Sequence, residues 1–163
     1  MSDLIRLSLT TVNAPDAIAL ARFYAEITGG VAKGDEYWAL VEGPNGDIGF
    51  QQIDDYRPPT WPDGEVGMQM HLELFVDDLE ATGARVLAAG ATRFEHQPNA
   101  DHCFVYADPA GHPFCLSMWG PRESAVDSAR SGICCSGATA RRVLGALKPK
   151  RLELAEVIVA AEQ

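Results

Sequence analysis

MQMHLELFVDDLEATGARVLAAGATRFEHQPNADHCFVYADPAGHPFCLSMW, Met68 to Trp119, is the stretch whose reading decides the fold. It opens on His71-Leu72-Glu73-Leu74-Phe75-Val76, where polar and apolar side chains alternate; period 2 marks a strand with one packed face. Asp77-Asp78 then offers an N-cap. Leu79, Ala84, Val86, Leu87 and Ala88 follow at near-helical spacing, and Gly90 stops the run. Strand-like pieces come next: Ala91 to Phe94, His102 to Ala107 and Pro113 to Met118. Asp108-Pro109-Ala110-Gly111 between the last two is a type I turn sequence. The unit is strand, helix, three strands.

The preceding part repeats this order. Leu4 to Val12 reads as a strand, Asp16 as a cap, and Ala17 to Ile27 as an amphipathic helix carrying Leu20, Phe23 and Tyr24. Gly29-Gly30 ends it. Tyr37 to Val41 and Ile48 to Ile53 read as strands joined across Gly43-Pro44-Asn45-Gly46. The capping acids Asp16 and Asp78 lie 62 positions apart (78 − 16), which argues for a duplicated module. A sheet in each module covers one apolar face with its helix and leaves the other to form a cleft.

Three motifs carry a family resemblance: D-A-x-x-L-A-R-F-Y from Asp16, H-L-E-L-x-V-D-D-L from His71, and D-P-A-G-H-P-F-C-L from Asp108. Together, in order and correctly spaced, they resemble the glyoxalase/bleomycin-resistance/dioxygenase group, the vicinal oxygen chelate superfamily. The resemblance implies an α+β fold of two paired βαβββ modules forming a curved sheet around a cleft. It spans residues 4–119, as modules 4–53 and 68–119 with a Pro-rich linker at 54–67, and leaves the tail 120–163 unexplained. It also implies a homodimer.

In that family the residue seven before each capping Asp points into the cleft and is often a metal ligand. Here these residues are Leu9 and His71. The corresponding carboxylate positions hold Gly49, if Phe50 is the residue that packs on the helix, and Cys115. Only His71 and Cys115 of the four can ligate, with Gln51 or Glu73 as the nearest candidates for a third. Catalytic zinc usually takes three protein ligands and non-haem iron two His and a carboxylate, so a divalent Zn, Ni, Fe or Mn is disfavoured and no cofactor is expected.

The expected pocket residues are Leu9, Trp38, Gln51, Trp61, His71, Glu73, His102, Phe104 and Cys115, with Tyr106 as a further aromatic. His71 has three readings: a ligand contact, ranked first, a structural His, and a general acid or base steered by Glu73. Cys115 also reads as a small buried hydrophobe. His96 and His112 read as turn histidines. Trp61, between prolines in the linker, is expected to pack down, with pocket wall or lid as the sharper alternative.

The net charge of −10 disfavours nucleic acid or an anionic membrane as partner. No apolar run approaches the ~20 residues of a membrane span, and no signal-peptide pattern opens the chain. Cys103, Cys115, Cys134 and Cys135 form no C-x-x-C pair and read as reduced thiols of a cytoplasmic protein. In the tail, residues 138–147 and 151–161 are helix-capable and separated by Pro149. Two functional classes follow. One is a metal-independent small-molecule binder that sequesters an antibiotic or metabolite. The other is a glyoxalase-like or dioxygenase-like enzyme with His71 and Glu73 as catalytic residues.

Overall fold

The structure, a computed structural model, describes residue 5 and residues 7–119. The expectations for the tail lie outside these residues. The first module runs β1 (Thr10–Ala14), α1 (Ala17–Thr28), β2 (Val31–Gly34), β3 (Trp38–Glu42) and β4 (Ile48–Gln52). The second runs β5 (Leu72–Phe75), α2 (Leu79–Ala88), β6 (Thr92–Arg93), β7 (Cys103–Ala107) and β8 (Pro113–Ser117). The strands form two four-stranded sheets, ordered β1-β4-β3-β2 and β5-β8-β7-β6. In each, the first strand pairs parallel with the last and the other pairings are antiparallel. The α+β fold of two βαβββ modules is therefore present.

Both helices start as their sequences require. The Asp16 carboxylate accepts from the Ala19 N–H and that of Asp78 from the Ala81 N–H, each at 2.9 Å, satisfying amides that have no partner within the helix. Gly29 closes α1 in the left-handed region, at φ 76°, which glycine adopts without strain. The second helix closes on Ala89 in ordinary helical geometry, and Gly90 turns the chain just after it.

One strand expectation needs correction, and one strand was not expected. Strand β1 begins at Thr10 rather than residue 4, because its length is set by β4, which pairs with Thr10 to Ala14. Ile5 and Leu7, which fall within the expected strand, are fully or nearly fully exposed. Alternation reports which residues share a face, not whether a partner strand is there to pair with them. Strand β2, for its part, has no alternating signature. Val-Ala-Lys-Gly becomes a strand only because β3 lies antiparallel beside it, pairing Val31 with Glu42 and Gly34 with Ala39. A Cβ at Gly34 would lie 2.2 Å from the Trp38 carbonyl oxygen, so the turn into β3 admits only glycine.

The main core joins the modules. The Tyr24 ring of α1 stacks on Phe50 of its own sheet at 5.4 Å. Phe23 and Tyr24 also meet Phe114 of the second sheet edge-on, at 6.0 and 6.2 Å. Phe114 in turn stacks on Tyr106. Fully burying one such ring is worth ~1.5–3 kcal/mol, and each well-placed ring pair ~0.5–1.5 kcal/mol more. The Tyr24 hydroxyl is buried as well; it donates to Asp108 Oδ2 at 2.9 Å, so no polar group is left unpaired there.

Candidate functional site

Register decides which side chains face away from the helices. In the second sheet Phe114 and Leu116 lie opposite Leu72 and Leu74 and beside Tyr106 and Phe104, and all belong to the helix-side core. The intervening residues Glu73, Cys115, Ser117, Cys103 and Val105 therefore project from the other, concave face. In the first sheet Thr11, Gly49, Gln51 and Trp38 hold the corresponding face, opposite the packed Val12, Phe50 and Ala39. The two sheets are equivalent at the critical places: Gly49 pairs with Thr11 as Cys115 pairs with Glu73.

His71 immediately precedes β5, and its Nε2 stands 3.7 Å from Glu73 Oε2. That is an ion-pair separation, longer than a direct hydrogen bond. The neighbouring His71 holds the Glu73 carboxyl below its ordinary range, burial opposes this, and the Ser117 hydroxyl adds to the lowering. The pair thus places an ionised carboxylate beside an imidazole on a partly open edge, an arrangement able to bind a polar ligand or move a proton.

Leu9 lies beside Gly49: a Cβ at residue 49 would sit 2.8 Å from Leu9 Cδ1 and 3.0 Å from Thr11 Oγ1. The leucine methyl would have to shift before any side chain could stand at residue 49. Cys115 is fully buried and packs with Trp61, Cys103 and Val105. No group of three His, Cys, Asp or Glu among the described residues is arranged to hold a metal ion. Leu9, Gly49, His71 and Cys115 do not fit a metal centre, since two have no donor atom and a third is a thiol under an indole.

Trp61 has packed down, and the surface it packs on is the concave face of the second sheet. With Cys103, Val105 and Cys115 it makes a second apolar cluster, flanked by Met68, Phe94 and Trp119. Phe94 meets the indole edge-on at 5.0 Å, and the His96 ring lies at 5.3 Å. The linker therefore covers part of the surface expected to receive a ligand.

Other expected pocket residues fall elsewhere. Phe104 is a correction: it lies on the helix side with Leu116, under the Arg93 guanidinium, whose Cζ is 3.8 Å from the ring centre. Tyr106 is on that side too. His102 precedes β7 with the same parity and is exposed, its ring 5.8 Å from Trp119. Aromatic content had suggested a pocket, but parity along β7 gives the helix side to Phe104 and Tyr106. Trp38 and Gln51 remain on the open face of the first sheet, both exposed. The two sheets are separate, with no described strand of one hydrogen-bonded to a strand of the other. The expectation of reduced thiols fails at Cys103, which takes part in a disulfide; pairing depends on proximity in space, which spacing along the chain does not report.

A groove of about 920 Å³ runs between the modules. The end of α1 (Ile27, Thr28), the β3–β4 turn (Asp47) and the β5–α2 segment (Glu73, Asp77, Asp78) line it. Because β5 is an edge strand, Glu73 borders this groove as well as pairing with His71.

The sequence profile of the glyoxalase-like domain matches residues 9–117, from Leu9 through the last strand. The chain belongs to the glyoxalase-like domain family. No curated protein matches it. Among solved structures, it resembles the fosfomycin resistance protein FosX from Mesorhizobium loti at 14% identity and TM-score 0.55, over 75% of this chain and 98% of that one. A glyoxalase/bleomycin resistance protein/dioxygenase family enzyme from Burkholderia phytofirmans PsJN matches at 18% identity and TM-score 0.52, over 67% and 94%. The oxidase ChaP-H2 matches at 24% identity and TM-score 0.53, over 71% and 94%. At these identities the likeness concerns the fold alone, and the family rests on the match over residues 9–117.

Sequence reading passed over one cluster. His112, read as a turn histidine, has Nδ1 2.9 Å from Asp108 Oδ2 and Nε2 3.0 Å from the Tyr56 hydroxyl. The D-P-A-G-H motif contained the signal, an acid and a histidine four apart across a tight turn. Tyr56 enters from the linker, 56 residues earlier, and leaves no trace in local pattern.

Proposed function

We propose that this glyoxalase-like protein is a metal-independent small-molecule binder that sequesters an antibiotic or metabolite. The observation that carries the reading is the chemistry of the four family positions: Leu9 and Gly49 have no donor atom, and Cys115 is buried against Trp61, so His71 is the one accessible donor among them. The ligand surface is built from the His71–Glu73 pair, the adjoining groove and the apolar wall around Trp61. Such a mixture of apolar wall and a few polar groups is what small-molecule pockets offer. The resistance protein among the structural neighbours makes antibiotics a natural first set of compounds to screen.

A second reading is favoured by the His71–Glu73 pair itself. A carboxylate that stays ionised next to an imidazole supports acid–base catalysis without a metal, in an enzyme of glyoxalase-like lyase or dioxygenase-like descent. On either reading the protein is a homodimer. No helix among the described residues is long and apolar enough to cross a membrane.

Metal analysis of protein purified without chelator, followed by a thermal-shift screen, tests the proposal. The expected outcome is metal well below stoichiometry and a compound that raises the melting temperature by binding the native state. Stoichiometric Zn, Ni, Fe or Mn would overturn the metal-independent reading. Turnover of the bound compound, lost in Glu73→Gln, would favour the enzyme. Light scattering at the monomer mass would remove the dimer.

A further inference from the structure

We propose that His112, Asp108 and Tyr56 form a proton-operated latch that sets how firmly the linker, and with it Trp61, is held on the second module. The Asp108 side chain is buried and accepts from the Ala110 and His112 backbone N–H groups through Oδ1, and from the Tyr24 hydroxyl through Oδ2. His112 Nδ1 approaches Oδ2 at 2.9 Å, a contact that requires an N–H on that nitrogen. On the far side of the ring, the Tyr56 hydroxyl lies 3.0 Å from Nε2 and 2.8 Å from the Ala110 carbonyl oxygen.

Tyr56 has one proton to give. The Ala110 carbonyl can only accept, so when Tyr56 donates there, Nε2 must itself carry hydrogen. All these contacts coexist only when the ring is imidazolium. Loss of the Nε2 proton draws the phenolic proton to nitrogen, and the bond from Tyr56 to the Ala110 carbonyl is given up. The linker then retains one hydrogen bond through Tyr56 where it had two.

The groups facing His112 are Asp108 from its own turn, Tyr56 from the linker and, through Asp108, Tyr24 from α1. Burial first, and then the Asp108 charge, push both phenols up from their ordinary range, so both remain single-proton donors where histidine titrates. The latch sits at the root of the linker. Two residues on, Pro58 covers Gly111, where an added Cβ would fall 2.7 Å from the proline Cβ. Three residues further, Trp61 lies on Cys103, Val105 and Cys115. Loosening Tyr56 therefore acts on the segment that covers the concave face.

NMR of the full chain, labelled with ¹⁵N-histidine and 5-fluorotryptophan, tests this without any ligand. The Trp61 fluorine line is identified by its loss in Trp61→Phe. Over a pH series from about 5 to 8, the latch requires that loss of the His112 Nε2 proton, wherever it occurs, and movement of the Trp61 line share one midpoint. In Tyr56→Phe, which keeps the ring and removes the hydroxyl, His112 still titrates but the Trp61 line no longer follows it. His112→Asn gives a second check, with a Trp61 line indifferent to pH over that range. A His112 that keeps one protonation state throughout, a Trp61 line that stays still in the wild type, or one that follows pH equally in Tyr56→Phe each overturns the latch.

Discussion

His71 and Glu73 form a pair on an edge strand, and each can be tested alone. If His71 contacts ligand, His71→Ala leaves the ligand-free melt nearly unchanged. It weakens a compound from the screen by ~0.5–1.5 kcal/mol, a few-fold to about tenfold in affinity. A drop of several degrees in the ligand-free melt with affinity intact would make His71 structural instead. For Glu73 the folded-state carboxyl sits below its reference value of 4.5, chiefly because of His71. Its contribution to stability is therefore complete above about pH 4.5 and is lost as pH falls through the folded value. Glu73→Gln should lack this part of the acid-side decline. Urea titrations at several pH values between about 3 and 6 check it; parallel wild-type and variant curves would dissociate Glu73 from acid sensitivity.

Among the elements, the two helices provide a matched comparison. Asp16 and Asp78 make the same 2.9 Å bond to the amide three residues on, from extended backbone of similar geometry. Asp16→Ala and Asp78→Ala should each cost ~1 kcal/mol, within ~0.5–2 kcal/mol, in urea denaturation. An effect near zero at either position would mean that water or a neighbouring group replaces the cap. The strands differ more in how they are specified. Strand β8 has two buried faces, since Phe114 and Leu116 enter the main core while Cys115 meets Trp61. Strand β2 is a four-residue edge that pairs, among the described residues, with β3 alone.

At the scale of the whole molecule, the two modules meet at Phe114. Its ring touches Tyr106 of its own sheet and both Phe23 and Tyr24 of the other module's helix. Phe114→Ala should cost ~3–5 kcal/mol, as large-to-small changes in packed cores do. Because the same ring serves both modules, wild-type unfolding followed by far- and near-UV signals should coincide. Two separated transitions would show that the modules fold independently. Much of this architecture was legible in the chain alone. Caps, glycine stops, the Asp108 turn and the 62-residue offset specify local geometry through contacts within a few residues, and they located both helices and seven of the eight strands. The candidate site was legible only in part. His71 and Glu73 share a strand face by simple parity, so their pairing follows from period 2. What tertiary structure alone decided were facts about neighbours distant in sequence. β1 is trimmed to the length of β4, Phe104 belongs to the core, Leu9 takes the space beside Gly49, and Tyr56 reaches His112. Periodicity reports which residues lie on one face; what covers that face is set by packing between segments that local pattern cannot connect.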